Sequence, residues 1–323
     1  MSLLDITDLT VTYSTDSGTV HAVNDVSFSI DEGVNYGLAG ESGSGKSVTA
    51  RSILGLVDDP GRIESGSIRF RGEELVDAWD DHRGDIAIVF QDPGSALNPV
   101  YTVGNQIREA LRIHQGLRGS EARERAVELL EAVGIPDPSR RVSEYPHQLS
   151  GGMQQRAVIA TALACDPDLL VCDEPTTALD VTIEAQIFEL IDQLRRDHDM
   201  GTILITHDLS VVAHACDRVL IMYAGRVVEE APTPTLYARP LHPYTLGLLD
   251  SIPAGHQTPR TRLPSIPGEV PDLAHLPGGC SFAPRCRFAT DACRREDPAL
   301  RRFDPDHRAA CLRLEEIHDR AAG

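Results

Sequence analysis

Lysine is almost missing from this chain. Lys46 is the single lysine in 323 residues, and arginine supplies the rest of the 30 basic side chains, set against 49 Asp and Glu for a formal net charge of −19. That balance excludes general binding to DNA or RNA, which needs a basic face. Acidic excess without lysine is what solubility in concentrated salt favours, because carboxylates hold hydration while salt screens their mutual repulsion. The composition points to a salt-adapted, halophilic source. Long apolar runs are absent too: no stretch approaches the roughly 20 residues of a membrane-spanning helix. The first residues, Met1 to Asp5, lack the basic-then-apolar order of a secretory signal. No internal repeat is visible. With 41% apolar residues, the expectation is a soluble intracellular protein with real cores in two or three compact units.

What is present alternates between strand and helix patterns. Leu3–Leu9, Thr10–Ser14 and Val20–Ile30 read as short strands, and Val34–Ala39 as a buried strand that runs into a glycine-rich loop. An apolar-periodic helix with Val48, Ile53, Leu54 and Val57 follows. From Asp92 to Ala164 the pattern is helical, with Thr102 able to cap one helix and Ser120 another that ends at Gly134. Strand–helix alternation resumes with Leu169–Cys172, a helix carrying Ile183, Ile187, Leu190, Ile191 and Leu194, and strands Thr202–Thr206 and Arg218–Met222. This is an α/β pattern, a sheet wrapped by helices and interrupted by a helical insertion. Near Ala231 the composition shifts: 13 of 21 prolines fall between Pro232 and Pro305, leaving little room for long helices or central strands. The expected organisation is a core in two parts (1–91 and 165–230), a helical subdomain (92–164) and a mostly irregular extension (231–323).

Gly40, Glu41, Ser42, Gly43, Ser44, Gly45, Lys46 and Ser47 fit the phosphate-loop pattern and lie between a strand and a helix that opens with Val48. The glycines let backbone N–H groups turn toward phosphates, and the helix N-terminus adds positive potential. Lys46 is suited to the β- and γ-phosphates and the Ser47 hydroxyl to magnesium. A chain that otherwise uses arginine keeps a compact ammonium here, where a guanidinium fork would not serve as a point charge. Leu169–Glu174 is an apolar strand ending in two carboxylates. Strand alternation sends them apart, so Asp173 can bind magnesium through its water shell while Glu174 polarises the attacking water.

At these residues the chain resembles the ATP-binding cassette (ABC) ATPases, P-loop proteins with a mixed sheet and a helical subdomain. Leu149–Arg156 is similar to their signature segment, with Ser150, Gly151 and Gly152 opening a helix. Gln91 resembles the Q-loop glutamine, Ala178 to Asp180 the D-loop and His207 the switch histidine; Tyr13 stands where the family stacks an aromatic ring on adenine. The resemblance implies ATP hydrolysis by Glu174 with His207 and Gln91, with Gln91 also facing the magnesium. It further implies two cassettes meeting head to tail, Ser150 and Gly152 of one reaching the nucleotide held by Lys46 of the other. One cassette per chain then requires a second copy or a related subunit.

Gln91 and Ser150 are 59 positions apart, room for a compact helical subdomain but not for the long coiled coil of DNA-repair relatives. The segments His242–Thr245, Leu248–Pro253, Ile266–Pro271 and Gly279–Cys286 resemble the C-terminal extension of oligopeptide/dipeptide importer ATPases, the D-type subunit more than its F-type partner. Asn98–Asn105 is similar to the stretch that touches the coupling helix of the membrane subunit, which points to Tyr101 and Val103 as contacts. The resemblance implies peptide uptake powered at the cytoplasmic face of the membrane. Its partners would be an F-type chain or a second copy, two transmembrane permeases and an extracytoplasmic binding protein. Relatives carry nickel or oligosaccharides, and a soluble cofactor-assembly ATPase is the rival class; it would lack this extension.

Of seven cysteines, Cys165, Cys172 and Cys216 read as core residues, whereas Cys280, Cys286, Cys293 and Cys311 fall within 32 residues at gaps of 5, 6 and 17. A reducing compartment disfavours disulfides. The gaps exceed those of usual zinc ligand pairs, and four thiolates also suit a 4Fe–4S cluster. From Cys280 to Arg313 there are eight arginines against five acids, a local surplus that would offset a negative cluster. The 4Fe–4S cluster is the expectation, with zinc or four ordinary thiols as the other readings.

Overall fold

The computed structural model describes residues 2–16, 18–176, 179–252 and 265–321. Ala178 of the D-loop and Pro253 at the end of the Leu248–Pro253 segment lie outside the described residues. The chain divides into two compact units: Asp31–Val34 with Asp77–Leu204, and Ser2–Ile30 with Asn35–Val76 and Ile205–Gly323.

The larger unit holds the phosphate loop and the extension. A four-stranded sheet runs in the order Gly18–Asp31, Ser2–Thr15, Gly61–Phe70, Glu73–Glu74. The two strands expected at Leu3–Leu9 and Thr10–Ser14 are one strand. Its register against Gly61–Phe70 shifts between Thr7 and Val11, and Asp8 there adopts φ 50°. A β-bulge, not a turn, breaks the alternation. Opposite it, Gly66 (φ +103°) lies so close that a Cβ would stand 2.6 Å from Leu9 Cα.

A second sheet of this unit is mixed. Asn35–Ala39 is buried throughout and parallel to Arg218–Tyr223, which pairs antiparallel with Arg226–Pro232. Beyond it come His307–Ala309 and Arg301–Asp304, both antiparallel. The extension thus pairs with the strand it left at Pro232 through His307, 75 residues on, with Ala309 opposite Glu229 and Arg308 opposite Glu230. Between lie two short helices, Thr233–Ala238 and Pro243–Asp250, each with proline in its first turn where a missing N–H costs nothing. Leu241, Ala309 and Leu314 form a small core against Phe303 and Cys311.

One fully buried carboxylate organises this return. Glu229 accepts hydrogen bonds from the backbone N–H of Leu241 (2.7 Å) and His242 (2.8 Å), and pairs with His307 Nε2 at 2.7 Å. His242 Nδ1 in turn accepts from Tyr244 N, and burial lowers the His242 pKa to about 4.

In the smaller unit the strand order is Gly201–Thr206, Leu169–Asp173, Ile86–Val89, the last two parallel with Ile86 opposite Leu169. Helix Val103–His114 is capped as expected, Thr102 Oγ1 accepting from Asn105 N. Ser120 is not a cap: helix Gly119–Ala132 begins one residue earlier, with Arg118 in the capping position and no side-chain cap bond. Gly119 at φ +60° turns the chain there, and Gly134 at φ +73° closes the far end in the left-handed conformation. Helix Gly151–Leu163 buries Ala157, Val158, Ile159, Ala160, Ala162 and Leu163, an apolar run too broad for one stripe. Helix Val181–His198 completes the unit. Among the described residues no helix is long and apolar enough to cross a membrane.

Candidate nucleotide site and cysteine pocket

In the larger unit, Asn35–Ala39 delivers the chain into the loop and helix Lys46–Ile53 receives it. Gly40 (φ +152°) lies against the Met222 carbonyl, inside the distance any Cβ would need, and Gly45 (φ +103°) would put a Cβ 2.5 Å from the Ala22 carbonyl. Both positions are closed to side chains by backbone, so the glycines answer to the fold as well as to a ligand. Lys46 is buried and curls into the loop, its Nζ donating to the carbonyls of Gly40 (2.8 Å) and Glu41 (2.9 Å). The loop is anchored from outside by Gly225 N donating to Ser44 O and by Tyr244 OH accepting from Glu41 N at 2.8 Å. Ser42 and Gly43 are exposed, while Ser47 and Val48 are half-buried on the first turn of the helix. Tyr13 is half-buried with its ring over Gly61, where a Cβ would come within 2.5 Å of Cε1. His207 follows strand Gly201–Thr206 and is exposed, just before the helix capped by Asp208.

The smaller unit gathers the other candidates. Asp173 ends its strand buried, and Glu174, half-exposed, follows at φ 46°. Gln91 Nε2 donates to Glu174 Oε2 at 3.2 Å. Ser150 caps its helix, accepting from Met153 N at 3.4 Å, and leaves Gly151 exposed beside it. The helix start packs on the segment after Glu174: a Cβ on Gly152 would touch Ile183 at 3.0 Å. Asp180 is exposed at the start of Val181–His198.

In the tail, Cys280, Cys286, Cys293 and Cys311 line one pocket together with Phe282, Phe288, Leu312, Arg313 and Ile317. Burial raises the thiol pKa of Cys280, Cys286 and Cys311, the last to about 11. Backbone N–H groups oppose it: those of Phe282 and Ala283 at Cys280, Phe288 at Cys286 and Arg313 at Cys311. Donors aimed at sulfur favour thiolates over thiols. Among the described residues no group of three or more His, Cys, Asp or Glu side chains is placed to hold a metal ion. Cys172 and Cys216 are buried as expected of core residues, and burial beside Asp173 pushes the Cys172 thiol up to about 12.

Family comparisons place the chain. Residues 23–177 match the ABC transporter family, and residues 228–293 match the oligopeptide/dipeptide transporter C-terminal region. The dipeptide transport ATP-binding protein DppD of Escherichia coli is 47% identical across 96% of both chains. A peptide import ATP-binding protein of Brucella melitensis is 50% identical across 98% of both. The chain belongs to the ATP-binding subunits of the oligopeptide/dipeptide ABC transporters.

Solved ABC cassettes share its fold. CbiO1 from Clostridium perfringens, part of the ABC transporter complex cbiONQ, aligns at a TM-score of 0.64 with 28% identity, over 73% of this chain and 91% of that one. The cassette MJ0796, in a dimeric post-hydrolysis state bound to ADP and Pi, aligns at 0.63 with 31% identity, over 71% of this chain and 98% of that one. As an ABC ATPase the subunit couples ATP hydrolysis to transport. Two partners of the phosphate loop escaped sequence reasoning. Tyr244 sits 203 positions from Glu41 and Arg285 sits 244 away; both lie in segments legible as family marks, but nothing local marks them as neighbours of the loop.

Proposed function

We propose that this subunit binds ATP on Gly40–Ser47 and hydrolyses it with Glu174, driving peptide import from the cytoplasmic face of the membrane. The observation that carries the reading is the loop itself: a buried Lys46 at a helix N-terminus, inside a turn where Gly40 and Gly45 leave no room for a side chain. Phosphate oxygens would replace the Gly40 and Glu41 carbonyls as partners of the Lys46 ammonium. Glu174 orients water and accepts its proton as the γ-phosphate leaves, with Gln91 and His207 in supporting polar roles. Tyr13 offers a ring face to the adenine.

Ser47, Asp173 and Gln91 carry hydroxyl, carboxylate and amide oxygens, the donor types that suit magnesium. Gln91 donates its amide nitrogen to Glu174, which leaves the amide oxygen as the atom it would offer a metal. Magnesium, when bound, supplies neutralisation of phosphate charge. Ser150, Gly151, Gly152 and Asp180 would serve the nucleotide of a second ATPase subunit, an F-type chain or another copy.

Peptide cargo is supported by the names of the relatives and by the matching extension. Two permeases and an extracytoplasmic binding protein complete the complex. ATP-dependent uptake of a labelled dipeptide into vesicles carrying the assembled transporter tests the reading; hydrolysis without peptide uptake would reject the cargo.

The cysteine pocket supports a 4Fe–4S cluster of structural role. The four cysteines line one pocket, backbone N–H groups donate to three of their sulfurs, and the segment carries surplus arginine. In type and number the four thiols match the ligands a 4Fe–4S cluster would need. The acidic, lysine-poor composition further supports a working environment of concentrated salt, tested by melting the protein across a salt series; a melting temperature unchanged on desalting would reject it.

A further inference from the structure

The phosphate loop carries an acid at its second position. Glu41 would set a negative charge beside a polyphosphate, an arrangement that opposes binding unless the charge is answered. The answer comes from the tail. Arg285, in the loop between Cys280 and Cys286, grips the Glu41 carboxylate with both arms of its fork, Nη1 to Oε2 at 2.6 Å and Nη2 to Oε1 at 3.0 Å. Its side chain is only 5% exposed, and it is fixed in turn by Nε donating to Pro267 O (3.0 Å) and Nη1 to Tyr223 OH (3.4 Å). Glu41 is held at three points: its carboxylate by Arg285, its N–H by Tyr244 and its carbonyl by Lys46. Two of those three holds belong to the extension.

We infer that Arg285 is a positioning residue for nucleotide binding: it neutralises Glu41 and directs that side chain to the tail, so the extension is part of the phosphate site. This rests on Gly40–Ser47 being the nucleotide loop. A planar bidentate fork fixes direction as well as charge, which a lysine could not do. Removing the buried Arg285 leaves the half-buried Glu41 carboxylate at the loop without its counter-charge.

The test measures KM for ATP and kcat in the full transporter, with ATP binding to the intact chain by calorimetry. Arg285→Met should raise KM and weaken binding about tenfold, with kcat at saturation falling far less. Adding Glu41→Gln to that variant should restore most of the affinity, because the stranded charge is gone. Arg285→Lys, which keeps charge without the fork, should fall between and remains measurable if Arg285→Met does not fold. An unchanged KM in both Arg285 variants overturns the inference. So does a weakening that Glu41→Gln fails to relieve, since that would mark plain structural damage. Lys46→Ala separates the underlying reading: if it binds ATP normally, the loop assignment fails, whereas lost binding there with normal Arg285 variants removes this inference alone.

Discussion

Gln91 Nε2 reaches Glu174 Oε2 at 3.2 Å, and Glu174 holds a left-handed φ of 46°. A non-glycine residue in that region costs of order 1–3 kcal/mol, and such strain collects where a side chain must be aimed. The carboxylate direction is therefore set twice, by the backbone at the end of Leu169–Asp173 and by the Gln91 amide.

Glu174→Gln should bind ATP normally yet lower kcat at least about 100-fold, because water loses its proton acceptor while the phosphate loop is untouched. Steady-state hydrolysis beside ATP calorimetry checks this. Hydrolysis at the ordinary rate would take the catalytic role from Glu174.

Val100 and Tyr101 are 72% and 55% exposed, and Gln106 splints the turn that presents them. Gln106 Oε1 accepts from Asn98 N at 2.8 Å, and its Nε2 donates to the carbonyls of Asn98 and Tyr101. Val103 is only 1% exposed, which removes it as a contact. Val100→Ser with Tyr101→Ser should preserve ATPase activity of the isolated subunit but reduce peptide uptake by the complex several-fold. Uptake per ATP hydrolysed is the measurement, and an unchanged ratio would place coupling elsewhere.

Protein purified without oxygen should be brown, with iron and acid-labile sulfide each near about four per chain. Cys286→Ala or Cys293→Ala should bleach it and lower the melting temperature. Zinc without sulfide would assign a zinc site, and absence of both would leave four thiols packed around Phe282 and Phe288.

Glu229→Ala should destabilise the larger unit by about 3–5 kcal/mol in urea unfolding, since His307 and two backbone N–H groups lose their buried acceptor. Glu229→Gln keeps an acceptor and should cost less. Equal melting of all three proteins would refute the account.

Local chemistry was legible and distant pairing was not. The phosphate loop, the Thr102 cap and the Asp173–Glu174 strand end were readable because each is decided within a few residues. The Ser2–Thr15 bulge was hidden, since Asp8 in a left-handed conformation looks like a turn in sequence. Ser120 carried a capping side chain, but Gly119 had already turned the chain. Strand His307–Ala309 is three residues long beside Pro305, and only its partner Arg226–Pro232 makes it a strand. Glu41 reads as one more phosphate-loop residue, and its pairing with Arg285, 244 positions away, is visible only in the fold.

The extension also guards an edge. Without residues 301–309, Arg226–Pro232 would present a row of unpaired N–H and C=O groups, the template on which sheets of different molecules join. Chains shortened before Arg301 should therefore aggregate rather than merely lose Cys311. During synthesis the same edge stays open until residue 309 has emerged, so this ATPase passes through a stage in which its sheet is adhesive and only its last-made strands can close it.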